Sequence, residues 1–303
     1  MIPLFQCYRI AAAYLILLMH QQFFVTGHMM SGFKNAAVPL FACIAGFLFS
    51  MGLSKKVSRI LIPYAIWAIV YFVANNVILD VLIRNEDINF PVWWAWLTGG
   101  TACHLWFLPS LFVAFALKNL LVKAVGASGL WTVYCIDGVL FVLGVATQFL
   151  PGDSSATWCG YGKIFFGRLL IYFAFGGILK NVLPRVSAKI LPWIGLVLVI
   201  MGVMNFKLDW ITWLSARPAL FVCGLMMLAS SFRSVEIPNW VNRVAVETMG
   251  IYLVHSLIVA AIDYTLSRFG HSVLPTVYAV PLTLVAFAIS YVCARFMPKW
   301  MKG

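Results

Sequence analysis

The sequence predicts an all-α, polytopic membrane protein with about ten transmembrane helices and both termini in the cytoplasm. Three observations carry this. Of the 303 residues, 63% are hydrophobic and 10% are charged, and the mean hydropathy is +0.96; soluble domains carry about 25% charged residues. Charged residues are also missing from long windows: between Arg9 and Lys34, and over 35–54, 60–79, 88–117 and 269–294 there is no Asp, Glu, Lys or Arg. A span needs about 20 apolar residues, and these windows supply it. Finally, the basic residues fall unevenly on the two sides of the predicted spans.

The elements follow from those windows in chain order, with interrupted apolar stretches filling the rest. The first span covers about 6–26 and the second about 36–53. The third covers 60–79, with Pro63 in its first turn, where a missing N–H costs nothing. A longer connection, 80–103, holds Trp93-Trp94-Ala-Trp96, which reads as an interfacial aromatic belt or a re-entrant piece. The fourth span is 104–124, opened by His104-Leu-Trp106-Phe107-Leu108-Pro109, and the fifth is 129–149 around Asp137. The sixth is 164–181, with Arg168 early in it, followed by 190–206 and 216–232. The ninth is 244–266, with Asp263 near its end, and the tenth is 274–296. One transmembrane domain over 1–303 is expected, with no appended soluble domain. No small-residue cleavage site follows the first apolar stretch, which reads as a retained signal anchor.

With the N-terminus inside, fourteen basic residues are cytoplasmic: Arg9, Lys55, Lys56, Arg59, Lys118, Lys123, Lys180, Arg185, Lys189, Arg233, Arg243, Arg295, Lys299 and Lys302. Seven lie outside: Lys34, Arg84, Lys163, Arg168, Lys207, Arg217 and Arg268. The positive-inside rule therefore accounts for the net charge of +12, and nucleic acid is not needed as a partner. Seven scattered Cys show no C-x-x-C; Cys103 and Cys159 share the outer side, but spacing alone does not pair them. No metal spacing, G-x-S-x-G, P-loop or G-x-G-x-x-G occurs, and no metal is expected.

Ionisable groups inside hydrocarbon are costly, so each is a functional candidate. Arg9 and His20 are eleven residues apart, which on a helix is about 20° in direction and about 16 Å along the axis. They share one face, with His20 deep in the span. An Arg at a span's edge more often snorkels, so His20 carries more weight than Arg9. Ser58-Arg59-Ile-Leu-Ile-Pro63-Tyr64 follows two lysines, and topology explains the lysines better than it explains Arg59 joined to Pro-Tyr. His104 and Trp106 mark the outer start of a helix, as a belt residue or a site residue. In Thr248-Met-Gly250-Ile-Tyr252-Leu-Val-His255, Tyr252 and His255 are neighbours on one helix face. Asp137 reads equally as a buried pairing partner.

These regions, in this order, resemble the acyltransferase 3 family of integral membrane O-acyltransferases. The resemblance rests on Arg9-x10-His20, Val38-Pro39-Leu40-Phe41 to Gly46-Phe47-Leu48, Arg59 to Tyr64, His104 to Leu108, and Gly250 to His255. It spans nearly the whole chain. Gln6 and Ile10 stand where relatives often carry Asp or Asn and Gly, and Ala45-Gly46 stands where Ser-Gly is common. The resemblance implies transfer of an acyl group, most often acetyl, from cytoplasmic acyl-CoA to a hydroxyl of a cell-surface glycan or lipid-linked sugar. It implies His20 and Arg9 as catalytic residues, and Arg9, Arg59 and Tyr64 as the acyl-CoA site. His104, Trp106, Arg168, Tyr252 and His255 would serve the acceptor or orient His20, and losing His104 or His255 is expected to be milder than losing His20. The expected setting is the plasma membrane, the inner membrane of a bacterium, with lipid around the spans and homo-oligomerisation left open. A ten-helix drug/metabolite-type transporter fits length and span count equally, but such transporters repeat their halves and no motif here is echoed. A structural subunit of a glycan-export complex is the third reading.

Overall fold

The computed structural model of the chain describes residues 2–20, 28–49, 57–75, 96, 102, 104–126, 129–149, 166–203, 216–268 and 278–302. Among these residues the regular structure is entirely helical, in agreement with the all-α expectation. In chain order it comprises α1 (Leu4–His20), α2 (His28–Phe47), a π turn (Val57–Leu61) running into α3 (Ile62–Phe72), α4 (Phe107–Val125), α5 (Leu130–Ala146), α6 (Gly167–Val182), α7 (Leu191–Val203), α8 (Ala216–Ser231), α9 (Asn239–Val246), α10 (Thr248–Arg268), α11 (Ala279–Phe296) and the short α12 (Lys299–Lys302). By length and composition, Phe107–Val125 and Thr248–Leu266 suffice to cross a membrane alone; the other apolar helices among the described residues are shorter. Trp93, Trp94, Gln21, Gln22, Lys55, Lys56, Cys103 and Cys159 lie outside the described residues.

Several boundaries differ from the sequence expectation. The second helix begins at His28 and ends at Phe47 rather than covering 36–53. The ninth predicted span is two helices. Glu247 ends α9 with φ −84° and ψ −1°, and its N–H donates to the Val244 carbonyl at 3.0 Å, a tightened last turn. The Thr248 hydroxyl then donates to the Ala245 carbonyl at 2.8 Å, and α10 starts there. The preceding α9 is amphipathic: Val241 and Ala245 are buried, whereas Trp240, Arg243 and Val246 are exposed.

The chain divides into two compact units, Met1–Phe49 with Ile171–Phe296, and Ser50–Leu170 with Met297–Gly303. In the first unit α1 packs on α2, α9, α10 and α11, while α8 packs on α2 and α7. Within lipid, apolar surface gives little net drive between helices, so close backbone approach and polar contacts decide the packing. The glycines show this. A Cβ on Gly46 would lie 1.8 Å from the Phe173 carbonyl oxygen, and one on Gly176 would lie 1.9 Å from that of Cys43. The α2–α6 crossing therefore requires glycine on both sides. Gly195 and Gly224 do the same for α7 and α8, where a Cβ on Gly224 would lie 2.6 Å from the Gly195 oxygen.

In the second unit α4 packs on α5 and on the π turn, and α12 packs on α3. A buried ion pair joins α4 to α5: Lys118 Nζ lies 2.5 Å from Asp137 Oδ1, and both side chains are buried. Asp137 is thus a pairing partner, and Lys118, counted above among the cytoplasmic charges, is buried against it. Removing one member of such a pair strands the other. Asp137→Ala should therefore lower stability by about 3–5 kcal/mol, and Lys118→Met with Asp137→Leu should recover most of it. Thermal melts of the purified protein in detergent test this; a single variant as stable as the wild type would contradict it.

Candidate active site

In the first unit the sequence brings polar groups to the seam between α1 and α10. On α1, Arg9, Ala13, Leu17 and His20 follow one another at spacings of three and four, hence on one face. On α10, Thr248, Ile251, His255 and Val259 do the same. Ala13, Leu17, Ile251 and Val259 are buried together with Ala286 and Ala294 of α11. The seam is apolar in its middle and polar at two levels.

At the first level Arg9 meets the start of α10. Its Nη1 donates to Gln6 Oε1 at 3.2 Å and its Nη2 donates to Thr248 Oγ1 at 2.9 Å. Both acceptors are neutral. At the second level the His20 and His255 rings lie 5.1 Å apart, centroid to centroid, tilted by 48°. His255 is completely buried. Its Nδ1–H donates to the Tyr252 carbonyl at 2.6 Å; that bond puts the proton on Nδ1 and the lone pair of the neutral ring on Nε2. The Tyr252 ring is 5.7 Å from that of His255. Both contacts climb the two helices together, 9 with 248 and 20 with 255, so α1 and α10 run in the same direction. The sequence placed Arg9 and His20 on one face and Tyr252 beside His255. It did not show that His255 stands against His20 or that Thr248 holds Arg9.

The second unit contains the other predicted site residues. Pro63 has no N–H to give to the Arg59 carbonyl four residues earlier, and a π turn, whose bonds reach one residue further, occupies Val57–Leu61. It leaves the Arg59 side chain exposed. Tyr64, on the first turn of α3, is buried and its hydroxyl donates to the Trp96 carbonyl. This accounts for Arg59 being joined to Pro-Tyr: the segment presents a cation and anchors the next turn. Trp67 Nε1 donates to the Met301 carbonyl at 3.1 Å, fixing α12 on α3. His104 is buried just before α4, and its ring meets the edge of Tyr71 at 4.6 Å and 77°. Tyr71 was missed from the sequence, although it lies two turns after Tyr64 on the same face. Trp106 is half-buried against Phe107, and Arg168 is exposed at the start of α6.

These features describe an apolar helical protein with imidazole and guanidinium groups gathered on the α1–α10 seam. The family comparison agrees: the acyltransferase domain of the acyltransferase 3 family matches residues 6–295, and the chain belongs to that family of membrane acyltransferases. No curated protein matches the chain. No solved structure matches it either.

The ring contact at His104 yields a prediction. Aromatic edge contacts contribute about 0.5–1.5 kcal/mol, so Tyr71→Leu should lower acyl transfer about three- to tenfold. Tyr71→Phe, which keeps the ring, should stay near wild type. Initial rates in membranes at matched expression decide it; equal activity of the two variants would make the contact mere packing.

Proposed function

We propose that this chain is a multi-pass O-acyltransferase of the plasma membrane. It moves an acyl group, acetyl in the first instance, from cytoplasmic acyl-CoA to a hydroxyl of a cell-surface glycan or lipid-linked sugar. The observation that carries the reading is the contact of His20 with His255 on the seam that also holds Arg9. Acyl transfer needs a group that accepts the hydroxyl proton and a cation for the anionic donor. Both stand on one face of α1. The shared direction of α1 and α10 supports the topology, because the first and ninth of ten alternating spans run the same way.

In the direct route His20 takes the acceptor hydroxyl proton as the oxygen attacks the thioester carbonyl. The carbon–sulfur bond then breaks, and the coenzyme A thiolate leaves and takes up that proton. In the relayed route an imidazole nitrogen of His20 attacks first, the carbon–sulfur bond breaks and coenzyme A leaves with the imidazole proton; the hydroxyl oxygen then takes the acyl group from the acyl-imidazole, and its proton returns to the ring. His255, its tautomer set by the Tyr252 carbonyl, holds the His20 ring in either route. Arg9 binds donor phosphate, and in the second unit Arg59, exposed on its π turn, and Tyr64 are the further donor candidates. His104, Trp106 and Arg168 serve the acceptor.

His20→Ala should insert normally and lose acyl transfer, since a positioned base alone is worth about 10²–10⁴ in rate. Arg9→Ala and Arg59→Ala should raise the donor KM, with Lys restoring it only in part, because a planar guanidinium suits phosphate. The assay scores acyl ester on the glycan by mass spectrometry and donor dependence in membranes. A His20→Ala variant with wild-type activity, or unchanged donor KM and turnover in both arginine variants, would overturn the respective assignment.

A further inference from the structure

We propose that Thr248 is a positioning residue for Arg9, which it fixes at the α9–α10 junction without cancelling its charge. The inference rests on the reading of Arg9 as the donor-binding cation. Thr248 is 1% exposed and sits where α9 ends and α10 begins. Its one hydroxyl proton goes to the Ala245 carbonyl at 2.8 Å, so the oxygen has only lone pairs to offer in other directions. One of them receives Arg9 Nη2 at 2.9 Å. The hydroxyl is therefore oriented by the backbone of α9 before the guanidinium arrives.

The chemistry of the partner matters as much as its place. A carboxylate here would hold Arg9 more firmly, but it would also neutralise it and compete with a phosphate for the same N–H groups. Threonine and Gln6 hold Arg9 through neutral oxygens, and among the described residues no carboxylate pairs with it. Two of the five guanidinium N–H groups are used in positioning. The rest, and the whole unit charge, are left for an anion of phosphate chemistry. The bond also ties the donor-binding cation of α1 to the first residue of α10, the helix that carries His255 two turns further on.

The test is a double-mutant cycle on binding of coenzyme A itself, measured by calorimetry with the purified full chain in detergent. Thr248→Val keeps the shape and removes the hydroxyl. It should weaken coenzyme A binding about tenfold, the scale of one hydrogen bond to a charged group. Thr248→Ser keeps the hydroxyl and should stay within about threefold, since only a methyl group is lost. In an Arg9→Ala background Thr248→Val should add nothing, because the group it positions is gone. If Thr248→Val does not accumulate, Thr248→Ala runs the same cycle without a branched side chain. An unchanged affinity in the hydroxyl-free variants, or an equal loss with and without Arg9, would overturn the proposal while leaving Arg9 as donor ligand. Arg9→Ala that binds coenzyme A like the wild type would instead overturn the donor reading itself.

Discussion

The arrangement of the first unit depends on one contact between two helices far apart in sequence, the seam of α1 with α10. Polar groups are expensive in hydrocarbon and must be satisfied within the protein. Here they are gathered at two levels of a single seam, Arg9 with Thr248 and His20 with His255, and separated by the buried Ala13, Leu17 and Ile251. The apolar stretch sets the register. With it in place, the guanidinium falls at a helix start and the two imidazoles meet, tilted by 48°, two turns along α10.

Elsewhere the protein uses the same economy of small residues and closed polar pairs. Gly46 and Gly176 let backbones touch where any side chain would collide, and the α7–α8 crossing depends on Gly195 and Gly224. The Lys118–Asp137 pair closes a charge inside the second unit that would otherwise be stranded. Such devices hold helices that lipid alone would not press together.

Much of this was legible in the sequence because it is local. Helical spacing put Arg9 and His20 on one face and Tyr252 beside His255, and charge-free windows pointed to helices, though the second begins eight residues earlier than expected. The failures are non-local or lie at junctions. The break at Glu247 is written in no glycine or proline; it shows only as a tightened turn, the Glu247 N–H on the Val244 carbonyl. Lys118 counts in the sequence only as a cytoplasmic-side charge, because its partner is nineteen positions away on another helix. Thr248 carried no signal beyond its place in a motif, since a threonine in a helix start usually serves only its own backbone. The family assignment came from five short motifs in order, and the match over residues 6–295 agrees with it.

The central claim is that His20 and His255 act as one unit, and a double-mutant cycle on kcat between them tests it most directly. The variants are His20→Ala, His255→Ala and the double, each at matched insertion in membranes. Residues that act together are strongly non-additive. The account predicts that His255→Ala lowers kcat substantially while the double variant is no slower than His20→Ala alone. Losses in the two single variants that simply multiply in the double would contradict it, and would make the ring contact a matter of packing.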